Sequence, residues 1–162
     1  MTNSNKEFVY LTHSLKKNTK NNKLNPFILI YNKIHQTVKE RRCQCEIIMN
    51  YIGPYRHGFS LTKKLYLLKI KKDFTQDDCL KFALLNADFS QDSYSHDILG
   101  VEKASKFYFQ KEIDKLNEKE KITLIIMLEH PILYNPHRNP KIALDKIRLY
   151  QRILHMNMNI KK

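Results

Sequence analysis

Three sets of side chains in this 162-residue sequence could do chemistry: its cysteines, its histidines and carboxylates, and its cations. Cys43, Cys45 and Cys79 are odd in number. Their C-x-C spacing matches neither a zinc ribbon nor a disulfide framework, so reduced, partly buried thiols are expected. His57, His96, His130 and His137 show no metal-ligand spacing, and no metal site is predicted. Glu129 falls inside an apolar helical stripe, where a carboxylate must be capped or paired. No GxGxxG or GxxxxGK[ST] loop is present to cradle a phosphate. The cations are unevenly spread: residues 1–72 hold 15 Lys and Arg but only Glu7, Glu40 and Glu46 as acids, whereas the remaining residues are nearly balanced. A one-sided positive field attracts nucleic acid, anionic lipid headgroups or a pyrophosphate. It is equally the solvated face of lysine-rich helices.

The elements that would position these groups are mostly helical. Residues 11–25 are polar and Asn/Lys-rich and read as a loop ending in Asn25-Pro26, a helix start. Phe27, Ile30, Tyr31, Ile34 and Val38 then recur at helical spacing. Ile47–Ile52 is a short apolar run, helix turn or strand, closed by Gly53-Pro54. Leu61, Leu65, Leu68 and Lys72 share one helix face. Thr75 with Asp78 and Asn117 with Glu120 read as N-terminal caps. Later stripes are Val101, Ala104 and Tyr108; Ile122, Ile125, Ile126 and Glu129; and, after Asn139-Pro140, Ala143, Ile147, Tyr150 and Leu154. The expectation is a mainly α domain of six or seven helices spanning residues 1–162. No apolar run approaches the ~18–20 residues needed to span a bilayer. No secretory signal is visible, so the sequence alone predicts a chain without anchor or export signal.

Three ordered segments resemble the peptidoglycan glycosyltransferase (transglycosylase) family, the lysozyme-like domain found alone or in bifunctional penicillin-binding proteins. FTQDDCLKFALLN resembles its Ser-Lys-Asp-Glu-Ile-Leu-Glu-Leu-Tyr-Leu-Asn helix. GVEKASKFYFQKEIDKLNEKEKITLIIML resembles its Gly-(Ile/Val)-Glu-x-Ala-(Ala/Ser)-x-x-Tyr-Phe-Gly-Lys segment and the leucine-rich helix that follows. YNPHRNPKIALDKIRLYQRIL resembles its Tyr-Asn-Pro-x-Arg-Asn-Pro close. The resemblance implies a bilobal helical fold with a cleft, well matched over residues 73–156 and divergent over the basic residues 1–72. By register, the family's Glu-Asp-x-x-Phe-x-x-His motif falls on Lys6–His13. Its Gly-x-Ser-Thr-x-x-Gln-Gln motif falls on Arg41–Ile48, and its Arg-Lys-x-x-Glu motif on Phe59–Lys63.

The resemblance implies polymerisation of lipid II, in which a sugar hydroxyl attacks an anomeric carbon and a pyrophosphate leaves. That chemistry needs a positioned base for the hydroxyl proton and cations for the leaving group. The two family carboxylate positions read Lys6 and Lys63, so Glu7 is the candidate base. Arg41, Arg42, Lys63, Lys64 and His13 are the candidate substrate-binding residues, with Mg²⁺ or Mn²⁺ as the metal an active enzyme would use. The implied partners are lipid II or another pyrophosphate lipid, an anionic membrane surface, and cell-wall synthesis proteins at the cell envelope. Pro26–Tyr31 is the one stretch comparable to the family's bilayer-dipping segment, and core packing explains it equally well. Two further function classes stand beside this one. The first is a noncatalytic scaffold of cell-wall assembly. The second is a nucleic-acid binder, suggested by Tyr10, Tyr31, Tyr51, Tyr55 and Tyr66 interleaved with the cations.

Overall fold

The structure, a computed structural model, describes residues 3–38, 43–51, 61–90 and 98–156. Eight α-helices occur among them: α1 (Asn3–Asn18), α2 (Asn25–Val38), α3 (Gln44–Ile47), α4 (Leu61–Asp73), α5 (Gln76–Asn86), α6 (Val101–Phe109), α7 (Glu118–Glu129) and α8 (Pro140–Met156). Three 3-10 turns join them, at Asn22–Leu24, Ile48–Tyr51 and Ile113–Lys115. The described residues contain no strand, only an isolated bridge between Asp88 and Leu99. The mainly α class stands.

The expected loop over residues 11–25 is instead largely helix. Phe8, Leu11 and Leu15 are buried and lie three and seven residues apart, one face of α1. Burying that stripe outweighs the weak helix propensity of the Asn and Thr residues around it. The run from Ile47 is helical, with Ile48 and Met49 fully buried. Gly53-Pro54, Tyr55, His57 and His96 lie outside the described residues.

The chain divides into two compact units, Met1–Asn22 with Arg42–Ala83, and Lys23–Arg41 with Leu84–Lys162. In the first, Phe8 of α1 stacks on Tyr66 of α4 with centroids 4.1 Å apart and planes 11° from parallel. Such a pair adds about 0.5–1.5 kcal/mol beyond the area it buries. Ile70, one turn after Tyr66, is fully buried. The cap at α5 forms as expected: the Thr75 amide and hydroxyl donate to Asp78 Oδ2, and the Asp78 amide donates to Thr75 Oγ1. Lys81 is buried and its ammonium donates to the Thr19 carbonyl, just past the end of α1. A cation there complements the negative end of the helix.

Cys45 and Cys79 form a disulfide, overturning the expectation of reduced thiols; Cys43 is free. Their Cα atoms are 5.1 Å apart, within bonding reach. The pairing joins α3 to α5 across 34 positions, a proximity that spacing along the chain does not reveal. Closing a loop of that length stabilises the fold by about 3–4 kcal/mol on chain-entropy grounds. The Gln44 amide adds a hydrogen bond to Gln76 Oε1 at 2.8 Å across the same seam.

In the second unit, α7 buries six consecutive residues, Ile122–Met127. Its N-terminus carries a complete capping box between Asn117 and Glu120. The stripe of α8 faces inward as expected, with Ala143, Ile147, Tyr150 and Leu154 buried. Glu129, at the end of α7, is the paired carboxylate that its apolar neighbours require. The Tyr150 hydroxyl donates to both its oxygens at 2.7 and 2.9 Å, and His35 Nε2 of α2 lies 3.2 Å from Oε1. The Tyr31 ring covers His35 at 3.9 Å, and Lys146 lies 4.6 Å over the Tyr150 ring. Three helices therefore meet on one carboxylate. Burial first, and then the hydrogen bond to Glu129, pushes the Tyr150 phenol well above its ordinary value.

The segments that carry the family resemblance act as scaffold. Asn135 is fully buried; its amide donates to the Tyr108 hydroxyl, which donates to the Phe89 carbonyl. Its side-chain oxygen accepts from the amides of His137 and Arg138. Asn139 donates to the carbonyls of Ile132 and Leu133. Gly100 has φ +83° and ψ 151°, a region open essentially to glycine, and a Cβ there would sit 2.5 Å from the Leu85 carbonyl oxygen. Gln110 stands where the resembling segment has glycine, and it is left-handed at φ 55°.

Two measurements check this scaffold. Gly100→Ala should destabilise by about 2–4 kcal/mol, while Gln110→Gly should stabilise by about 1 kcal/mol. Urea unfolding midpoints that move together, or not at all, contradict the assignment. Tyr150→Phe should cost about 1–3 kcal/mol near neutral pH, because Glu129 loses its donor. The raised phenol contributes stability that is fully present below its unfolded value of about 10 and is lost as pH rises beyond it. The gap between wild type and Tyr150→Phe should therefore narrow in alkaline buffer.

Candidate functional site: a cationic face on two helices

Of the predicted site residues, Glu7 and His13 fall on α1 and Lys63 and Lys64 on α4, both in the first unit. On α1, Lys6 and His13 are seven residues apart, share one side of the helix and are exposed. That side is opposite the buried stripe of Phe8, Leu11 and Leu15. Glu7 lies between the two faces and is half-buried. It is the single acid of α1, and no ion pair or hydrogen bond holds it among the described residues.

On α4, Lys63 is half-buried and its ammonium donates to Asn50 Oδ1 at 3.4 Å. Lys64 is exposed. Lys69 lies 5.6 Å over the Phe8 ring. Lys71 pairs with Glu46 of α3 at 2.8 Å. The Lys71 ammonium holds the Glu46 carboxyl below its usual range, and Glu46 in turn raises Lys71. Both groups are largely exposed, so the pair adds little stability. Beside it, Lys71, Lys72, Thr75, Gln76 and Cys43 line a shallow surface recess. Gln76 ties its wall together, donating from Nε2 to Cys43 Sγ at 3.4 Å.

The Phe8–Tyr66 stack brings the two helices together. Glu7 adjoins Phe8 in sequence, and Lys63 precedes Tyr66 by one turn. No described contact joins Glu7 to Lys63 or Lys64. Arg41 and Arg42 lie outside the described residues. Asn50 and Glu46, which hold Lys63 and Lys71, were not anticipated. Glu46 could have been, as one of only three acids in a strongly basic stretch.

This set of groups can neutralise an anion. A lysine ammonium is a compact positive charge that donates hydrogen bonds and accepts none. The residues do not suit Mg²⁺ or Mn²⁺: Lys6, Lys63 and Lys64 are cations, and no three His, Cys, Asp or Glu side chains converge among the described residues.

The transglycosylase family's sequence model matches residues 61–156, the span from the first residue of α4 to the last of α8. Lys63 and Lys64 lie inside that span; Lys6, Glu7, His13, Arg41 and Arg42 lie outside it. The chain is 32% identical over 110 residues to penicillin-binding protein 1B of Escherichia coli strain K12, covering 68% of this chain and 13% of that protein. It is 39% identical over 57 residues to penicillin-binding protein 1B of Haemophilus influenzae, covering 35% and 7%. The chain thus corresponds to a small part of these relatives. Since the match runs over all five helices from α4 to α8, the chain belongs to the transglycosylase family, as a peptidoglycan glycosyltransferase-like domain.

Proposed function

We propose that this domain is a divergent peptidoglycan glycosyltransferase that holds the pyrophosphate end of a lipid II-type substrate on the cations of α1 and α4, with Glu7 as its base. The observation that carries this reading is Lys63. It lies inside the family match, at the position where the resemblance places a carboxylate. The substitution shifts the balance of the site toward anion binding and away from proton removal.

Lys63 and Lys64 supply charge for the pyrophosphate, and His13 supplies a further polar contact. A sugar hydroxyl needs a positioned acceptor for its proton as it attacks the anomeric carbon. Glu7 is the acid of α1 suited to that role, and Asp73, at the last position of α4, is the only acid of that helix. Residues 1–162 act as one domain in this reading, located at the cell envelope beside an anionic membrane surface and other cell-wall synthesis proteins. The Cys45–Cys79 disulfide supports an oxidising compartment. The second reading, a noncatalytic scaffold, draws on the same Lys6 and Lys63.

Labelled lipid II, with and without Mg²⁺ or Mn²⁺, tests both. The expected result is lipid II binding with slow polymer formation, and loss of polymer by about 10²-fold or more in Glu7→Gln with binding retained. Restoring acids with Lys6→Glu plus Lys63→Glu should raise the rate. Binding with no polymer from the wild type assigns the scaffold role instead. No lipid II binding, together with salt-sensitive binding of random RNA, overturns the proposal in favour of nucleic acid.

A further inference from the structure

Besides the stripe it buries, α8 carries a second apolar line that faces solvent. Ile142, Leu149 and Met156 are 46%, 42% and 62% exposed. They lie seven residues apart, so each returns to within about 20° of the same direction along the helix. Asp145 stands four residues before Leu149 and Arg152 three after it; both are exposed, on the same edge of that line. Neither charge is firmly held within the chain. Asp145 meets Arg148 at 3.9 Å, with the two side chains 63% and 64% exposed, and such a pair is worth little. Arg152 has no ion pair among the described residues. The leucine line of α4 differs. Leu61, Leu65 and Leu68 are also exposed, but lysines alone edge them, so a second copy laid on that face would set lysine against lysine.

We propose that α8 pairs antiparallel with α8 of a second copy, about a two-fold axis at Leu149. Leu149 then meets Leu149, and Ile142 meets Met156 at each end. Reversal about Leu149 sets Asp145 opposite position 153, within one residue's rise, about 1.5 Å, of Arg152. A two-fold axis lying across the seam keeps both charges on the same edge of it. Asp145 of each copy therefore reaches Arg152 of the other. The face is complementary to itself, as an isologous interface must be. A parallel pair is disfavoured, because it would set Asp145 against Asp145 and Arg152 against Arg152. Nucleic acid suits this face less well, since its phosphates would meet Asp145 at the apolar line. One face of a 17-residue helix, about 25 Å long, buries less than the ~1,200 Å² at the low end of stable interfaces. The dimer is accordingly weak and forms at high protein concentration. The inference uses α8 alone and does not rest on the substrate reading.

Sedimentation equilibrium of the full chain tests it, from about 10 μM to about 1 mM. Physiological salt screens the repulsion between two chains of formal charge +13. The average mass should climb from monomer toward dimer over that range. Leu149→Glu should weaken association about tenfold or more. Asp145→Arg and Arg152→Asp should each weaken it about tenfold, because like charges replace both opposite pairs. Mixed in equal amounts, those two variants should associate as the wild type does, since their heterodimer regains both opposite pairs. Leu65→Ser, a control on the exposed line of α4, should change nothing. Circular dichroism confirms that each variant keeps its helices. A chain that stays monomeric throughout overturns the proposal. So does association that the α8 variants leave intact, that Leu65→Ser reduces equally, or that the mixture of charge variants fails to restore.

Discussion

Tyr66 stacks on Phe8, and with Ile70 buried one turn later this contact decides how α4 is presented. A helix with apolar residues on two sides must choose which side to bury. Here aromatic stacking and one fully enclosed isoleucine win over three leucines. The consequence reaches the candidate site. Lys63, three residues before Tyr66, is drawn toward the protein and toward Asn50, while Leu61, Leu65 and Leu68 are left to solvent. The disulfide between Cys45 and Cys79 and the Thr75–Asp78 cap then fix α3 and α5 at the far end of the same helix.

Much of the second unit was legible because its signals are local. A cap needs two residues three apart, as in Asn117 and Glu120, and an inward stripe needs only repetition, as in Ala143, Ile147, Tyr150 and Leu154. The first unit was harder because its determinants are contacts between distant segments. α1 continues through a polar stretch because Leu11 and Leu15 are buried, and its side chain Phe8 meets Tyr66 from far along the chain. The disulfide is invisible to spacing for the same reason. On α4, periodicity found a real stripe and not its direction: period states which residues share a face, while burial depends on what else is nearby.

The candidate site was legible in part. The sequence pointed to Lys6 and Lys63, and the structure sets these lysines on two helices joined by the Phe8–Tyr66 stack. The sequence did not disclose that Lys63 has Asn50 as a partner, or that Lys71 is offset by Glu46. Such pairings depend on side-chain reach across 13 and 25 positions of sequence, which no local pattern encodes.

The division between a well-matched back half and a divergent front half has a physical cause. Asn135 is enclosed and makes hydrogen bonds to Tyr108, His137 and Arg138; replacing it strands several polar groups at once, at about 1–3 kcal/mol each. Gly100 meets a carbonyl if it gains even one carbon. Lys6 and His13, by contrast, are exposed on α1, and exchange of such a residue moves stability by about 0.5 kcal/mol or less. Folding therefore holds the scaffold motifs in place and leaves the front positions to be held by activity alone. Gln110 marks the boundary between the two regimes: a left-handed position where losing glycine costs about 1 kcal/mol, tolerable beside the stability supplied by the buried helices around it. On this argument the family match over α4–α8 records the frame, and the exposed positions of α1 lie outside what the frame protects.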